Sequence, residues 1–301
     1  MTQRLTPRIA FLLTLPPLLW AGNAVTGRLV NGLVPPATLN FMRWALAFLI
    51  LLPLAGWVLR PGSGLWTKWR RFSVLGLLGV GCYNALQYLA LKTSTPLNVT
   101  LVAASMPIWM LVVGALFFGQ PVQARQWAGG LLSIVGVLTV LSRGDLDTLL
   151  HVRLVPGDFY VLLATAAWAF YSWLLVRPGD PPAIRADWAA FLMAQIAYGL
   201  AWSGLFAAAE WQFSDAQIHW GWPLVAALAY VAVGPAVLAY RCWGLGVQAM
   251  GPSVAGFFAN LTPLFTAVMS ATLLGEVPHL YHVLAFALIV GGIVLSSRRR
   301  A

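Results

Sequence analysis

Ten runs of about twenty mostly apolar residues follow one another along this 301-residue chain with little between them. They cover residues 9–30, 37–59, 72–91, 97–118, 124–141, 156–176, 187–208, 222–244, 250–273 and 279–296. A helix needs about 20 apolar residues to cross the hydrocarbon of a bilayer. Inside that layer every backbone N–H and C=O must be paired within its own segment, so helices are the expected spanning form. Barrel strands would be shorter and would alternate polar with apolar residues, which these runs do not. The expected fold is an all-α integral membrane protein of about ten transmembrane helices. Only 9% of the residues are charged, far below the ~25% of a soluble chain, so no soluble domain is expected beside the helices.

The formal net charge of +10 has a membrane reading as well. Arginine and lysine gather in cytoplasmic loops. With the N-terminus inside, that side holds Arg4, Arg8, Arg60, Lys68, Arg70, Arg71, Arg125, Arg177, Arg185, Arg298, Arg299 and Arg300, against Arg28, Lys92, Arg143 and Arg153 outside. The bias places both termini in the cytoplasm and fits a multi-pass protein of a bacterial inner membrane. Membrane lipids are then the partners of the basic loops. No basic stripe with stacking aromatics points to nucleic acid. Arg4 and Arg8 before an apolar stretch resemble a signal peptide, but a second span follows at once and no convincing cleavage site stands out, so the stretch reads as a first spanning helix.

The chain also repeats itself. A shift of 156 sets Pro96 on Pro252, Ala103 on Ala259, Pro107 on Pro263, Gly119 on Gly275 and Gly136 on Gly292, with Gln120 on Glu276. A shift of 148 sets Trp20-Ala21 on Trp168-Ala169. Two halves are expected, 1–150 and 151–301, each a five-helix repeat. Five is odd, so the halves would lie inverted in the membrane, an arrangement that puts a binding site between them near the midplane.

An ordered set of short features carries a family resemblance. Trp20-Ala21-Gly22-Asn23 stands on the first run and Arg43 on the second. Leu89-Ala90-Leu91-Lys92, Ala104-Ser105-Met106-Pro107 and Gly119-Gln120 follow, and Gly275-Glu276 closes the second half. Over nearly its whole length the chain resembles the EamA-type branch of the drug/metabolite transporter superfamily, and its aromatic-rich spans are similar to the amino-acid exporters of the YddG type. The resemblance implies ten helices in two inverted repeats around a central cavity, and export of amino acids, other metabolites or drugs. Gln120 stands where the family often has Glu, a departure that bears on any role needing charge at both turns.

Several polar and aromatic residues sit deep in the apolar runs. Arg43 would cost about 2.5–3.5 kcal/mol at mid-helix depth and so should face protein or water. It either anchors a substrate carboxylate or clamps backbone groups. Arg241 lies nearer the end of its run and can snorkel. Tyr83, Asn84, Gln87 and Tyr88 gather mostly on one helical face, as a cavity wall or as interhelical hydrogen bonds. Trp20 with Asn23, Trp109, and Trp168 with Tyr171 lie too deep for the interfacial belts. Aromatic walls with a few polar groups suit a small amphipathic molecule. Core packing is the alternative for each. Pro107 and Pro263, mid-run at matched positions, read as hinges or static kinks.

The candidate substrate-binding set is therefore Trp20, Asn23, Arg43, Tyr83, Gln87, Trp109, Trp168 and Tyr171, with Pro107 and Pro263 as hinge or gating residues. No catalytic residue, metal or cofactor is expected. Asp and Glu lie at span ends or in loops, His151, His219, His279 and His282 are peripheral, and no Walker loop or HExxH occurs. Cys82 and Cys242 read as buried small hydrophobes. The leading expectation is a secondary transporter that exports small amphipathic metabolites, amino acids first, by alternating access. A multidrug or other metabolite transporter of the same fold, a membrane-embedded enzyme on lipid-linked substrates and a passive channel are the alternatives. Substrate, coupling ion and oligomeric state are not read from the sequence.

Overall fold

The computed structural model describes residues 5–90, 93–94, 96–145, 147–274 and 279–297. The expected features at Lys92, Gly275, Glu276 and Arg298–Arg300 lie outside the described residues, as do the side chains of Arg28 and Tyr88. Among the described residues the secondary structure is helical, with no strand. Nine helices among the described residues are long and apolar enough to cross a membrane. A tenth helical stretch, residues 69–90, completes the roughly ten-helix fold; it begins with Trp69-Arg70-Arg71 and carries Asn84 and Gln87.

In chain order these are α1 (Pro7–Leu29), α2 (Pro36–Ala55, running on as a 3-10 turn Gly56–Leu59), α3 (residues 69–90), α4 (Pro96–Ala103 and Met106–Phe118) and α5 (Ala124–Leu141). There follow α6 (Pro156–Val176), α7 (Trp188–Phe213), α8 (Trp222–Met250), α9 (Pro252–Ala259 and Leu261–Leu274) and α10 (Leu280–Ser297). Proline stands in the first turn of α2, α6, α8 and α9, where its missing N–H is no loss and its fixed φ suits a helix start. Helices α7 and α8 outrun the expected spans, because their last turns continue through polar residues such as Glu210 and Gln248 that end an apolar run without ending a helix.

Among the described residues two helices are broken and two are bulged. The break in α4 falls at Ala104–Ser105, that in α9 at Asn260. Pro107 thus opens the second segment of α4, and Pro263 sits in the first turn of the second segment of α9. Neither kinks a continuous helix from its middle, as the apolar runs suggested. Asn260 seals the breaks against each other, donating its side-chain amide to the Ala104 carbonyl at 3.3 Å and to the Ser133 hydroxyl at 2.9 Å. Within α3, Leu77–Cys82 is a π-helix, and within α8 Ala232–Leu238 is another. Such wide turns disturb the regular i→i−4 ladder and frequently occur at functional sites.

Small residues let the helices close on one another, as is usual where lipid removes the hydrophobic drive between spans. On α5 and α10 the contact is backbone to backbone. A Cβ on Gly129 would stand 2.7 Å from the Gly292 carbonyl oxygen, and one on Gly292 would stand 2.6 Å from that of Gly129. Helices α3 and α7 meet in the same way at Gly76 and Gly199, where a Cβ on Gly76 would be 3.0 Å from the Gly199 Cα.

Each end of the bundle has a polar lock. At one end the Glu210 carboxylate accepts from the backbone N–H groups of Ala37 and Thr38 at 3.0 and 2.8 Å, and from the Thr38 hydroxyl at 2.9 Å. This puts a negative charge where the α2 N-terminus favours one. At the other end Asp180, its side chain 1% exposed, pairs with Arg71 through a fork of two bonds and with Arg185 at 3.2 Å. Arg71 also donates to the Leu174 and Arg177 carbonyls at 3.1 and 2.8 Å, tying α3 to the α6–α7 connection.

Candidate functional site

The bulged helices and α1, α2 and α6 converge on a cluster of aromatic rings. Trp168 of α6 is its hub, 3% exposed. It meets Trp20 at 5.3 Å between centroids, Tyr83 at 5.0 Å, Tyr171 at 4.9 Å, Tyr240 at 5.4 Å and Trp243 at 5.7 Å. Trp44 packs edge-on against Tyr240 at 4.8 Å. Edge-to-face and tilted pairs of this kind are favoured by the ring quadrupoles.

Four of these rings have a defined hydrogen-bond partner. Trp20 donates its indole N–H to the Pro235 carbonyl at 3.3 Å, and Tyr240 donates its hydroxyl to the Gly79 carbonyl. Both acceptors lie inside π segments. The nearby Val80 carbonyl accepts from the Asn40 amide at 3.2 Å. Cluster side chains thus cap carbonyls of the irregular turns. Tyr171 donates to Gln195 Oε1 at 2.9 Å, and Trp243 to the Ser172 hydroxyl at 3.1 Å. Gln87 lies beside the Tyr83 hydroxyl.

Arg43 stands beside this cluster on α2, 4% exposed. Its guanidinium lies 5.2 Å from the Trp44 ring and donates one hydrogen bond, from Nη1 to Asn23 Oδ1 at 3.3 Å. Its Nε is buried without a partner, and so is the neighbouring Trp44 Nε1. No carboxylate lies within 4.0 Å of Arg43 among the described residues. A buried cation in this state is chemically under-satisfied, because buried charges are ordinarily paired. The guanidinium fork suits a carboxylate.

Of the eight candidate binding residues, the structure brings Trp20, Tyr83, Trp168 and Tyr171 into direct ring contact. Asn23 meets Arg43, and Gln87 joins through Tyr83. Trp109 is half-buried on α4 against the hydrophobic core and makes no ring contact with the cluster. Sequence reasoning missed Trp44, Tyr240, Trp243 and Gln195. The repeat register contained a signal for two of them: a shift of 156 from Asn84 and Gln87, residues of the polar face on α3, lands on Tyr240 and Trp243 of α8. His279 and His282 stack at the exposed start of α10, away from the cluster. Among the described residues no group of three or more His, Cys, Asp or Glu side chains could hold a metal ion.

Comparison with known proteins fits this geometry. A solved crystal structure, 22% identical, superposes with a TM-score of 0.74 over 97% of this chain and 99% of that one, which speaks for the fold alone. An uncharacterized transporter of Archaeoglobus fulgidus is 27% identical over 96% of this chain and 97% of its own. The aromatic amino acid exporter YddG of Ancylobacter novellus is 25% identical over 93% of each chain. A probable amino-acid metabolite efflux pump of Salmonella typhimurium is 25% identical over 88% of this chain and 87% of its own. The EamA-like transporter family model matches twice, over residues 7–142 and 155–298. The chain therefore belongs to the EamA-like transporter family.

Proposed function

We propose that this protein is a secondary transporter that exports small amphipathic metabolites, with aromatic and hydrophobic amino acids the best-fitting class, from the cytoplasm of a bacterium across its inner membrane. The observation that carries this reading is Arg43. A buried guanidinium with one weak partner and an unpaired Nε stands beside a wall of indoles and phenols. That pairing matches a solute with a carboxylate at one end and an apolar ring at the other. A cationic drug would meet like charge there, which disfavours the multidrug alternative. The Ancylobacter exporter of aromatic amino acids and the probable Salmonella efflux pump for amino-acid metabolites point the same way.

Transport would proceed by alternating access between two inverted halves, 1–150 and 151–301. Three matched features support that division. The breaks in α4 and α9 fall after Ala103 and Ala259, 156 residues apart, and the π segments of α3 and α8 end at Cys82 and Leu238, again 156 apart. The contacts of α5 and α10 also cross. Gly129 meets Gly292 and Gly136 meets Ala285, which is the swapped order that a two-fold axis between the halves produces. Pro107 and Pro263, each opening a second helical segment, are the hinge candidates in this scheme.

The test is uptake into liposomes holding the purified protein, with tryptophan, phenylalanine, their decarboxylated amines and a lipophilic cation as solutes. The expected order is amino acids well above amines and cation. Flux no greater than in protein-free vesicles for every solute would remove the proposal.

A further inference from the structure

A cavity bordered by two arginines lies against Tyr240. Its volume is about 150 Å³, and it is lined in part by Tyr171, Trp188, Gln195, Tyr240, Arg241 and Gln248. At about 30 Å³ per water, that is room for roughly five waters, or for the body of one small amino acid. It lies at the end of the bundle that carries the Arg71–Asp180–Arg185 lock, since Arg185 also borders it. The excess of arginine and lysine assigns that end to the cytoplasm.

The two arginines of this cavity differ in what they have left to give. Arg185 is committed: it donates to Asp180 at 3.2 Å and to the Leu175 carbonyl at 2.6 Å, and stands 5.0 Å from the Phe191 ring. Burial lowers its pKa, while the Asp180 charge opposes that shift. Arg241 is uncommitted. Its guanidinium lies 4.4 Å from the centroid of the Trp188 ring, and no carboxylate approaches it within 4.0 Å among the described residues. A stacked guanidinium keeps its edge donors for a planar anion. The charges bordering the cavity are Arg241 and Arg185, the latter neutralised by Asp180, which Arg71 also shares. The balance is positive.

We infer that this cavity is a loading station for carboxylate-bearing solutes, which Arg241 holds by the carboxylate while Trp188 and Tyr240 flank the apolar body. The station rests on the carrier reading above and adds a second site to it. Tyr240 is the partition between the two. One side of it borders the cavity, and its ring also packs on Trp44, whose own ring lies 5.2 Å from Arg43. A carboxylate would pass from Arg241 to Arg43 once Tyr240 and Trp168 part. Two arginines in series, separated by a ring, give a solute a favourable position on each side of the barrier.

The electrostatics can be read without transport. In full-length protein with Cys82→Ala and Cys242→Ala, reconstituted in nanodiscs, Gln248→Cys serves as reporter. Gly244→Cys is a second reporter, because a Cβ at Gly244 meets nothing within 4 Å. Methanethiosulfonate reagents of opposite charge are compared, each normalised to its rate with free cysteine. A positive cavity concentrates anions, so the sulfonate reagent should react about tenfold faster than the trimethylammonium one. Adding Arg241→Gln should bring the ratio near one. Phenylalanine should slow labelling and phenethylamine should not.

Equal rates for both reagents, a ratio untouched by Arg241→Gln, or no protection by phenylalanine would overturn the inference. Protection by phosphatidylglycerol over phosphatidylcholine, without protection by phenylalanine, would also overturn it and assign Arg241 to a lipid headgroup. Liposomes that fail to move any amino acid while this labelling pattern holds would remove the carrier reading and leave the anion site standing.

Discussion

The indoles of Trp20 and Trp168 meet edge to face, 5.3 Å apart at an interplanar angle of 88°. They come from α1 and α6, the first helix of each matched stretch of the family model. Each is tied down from a different direction: Trp20 to the Pro235 carbonyl of the α8 bulge, Trp168 by rings of α3, α6 and α8. The pair holds the two halves of the chain together at the aromatic cluster.

Replacing the hub should therefore cost more than replacing its rim. Trp168→Ala removes a buried indole from among five rings, and such truncations cost about 3–5 kcal/mol. Denaturant unfolding in detergent should register that loss, whereas Trp109→Ala, half-buried and outside the cluster, should cost clearly less.

Arg43 is the account's chemical centre. Losing a charge-assisted hydrogen bond costs about 1.5–3 kcal/mol, so Arg43→Gln should weaken phenylalanine binding by roughly tenfold or more. Arg43→Lys should retain part of it, keeping the charge but not the fork. Isothermal titration of the purified variants measures both. Phenethylamine, which has no carboxylate, should not gain or lose by the same factor.

The α5–α10 crossing has no room for a side chain. Gly129→Leu or Gly292→Leu should destabilise by about 1–3 kcal/mol through overpacking. Gly27→Ala is the matching control, since nothing lies within 4 Å of its Cβ position. Thermal unfolding of the three variants side by side checks the contrast.

Asp180 neutralises two arginines at once. Asp180→Ala leaves Arg71 and Arg185 facing each other without their shared carboxylate. Breaking a fully buried pair from one side costs about 3–5 kcal/mol, and the loss here should be smaller because both arginines are partly exposed. Double replacement with Arg185→Gln should recover part of that loss, which a double-mutant cycle on unfolding free energy would measure.

The architecture was legible because lipid imposes it. Runs of about twenty apolar residues leave few options beyond spanning helices, and the expected runs match the described helices closely at most ends. What stayed hidden was irregular backbone inside those runs. Leu77–Cys82 and Ala232–Leu238 are as apolar as their surroundings, and hydropathy does not register a π turn. The site was half legible for a similar reason. Arg43, Asn23 and Gln87 announce themselves as polar groups in oil. Tyr240, Trp243 and Trp44 are apolar enough to pass as core, and they became distinguishable only when their partners, the Gly79 carbonyl and the Ser172 hydroxyl among them, were in view.

Counterflow of radiolabelled phenylalanine into liposomes preloaded with unlabelled phenylalanine, run with the wild-type protein beside Arg43→Gln, tests the central claim most directly. Label should accumulate saturably with the wild-type protein and fail to do so with the variant. No counterflow above protein-free vesicles, or equal counterflow in both proteins, would contradict it.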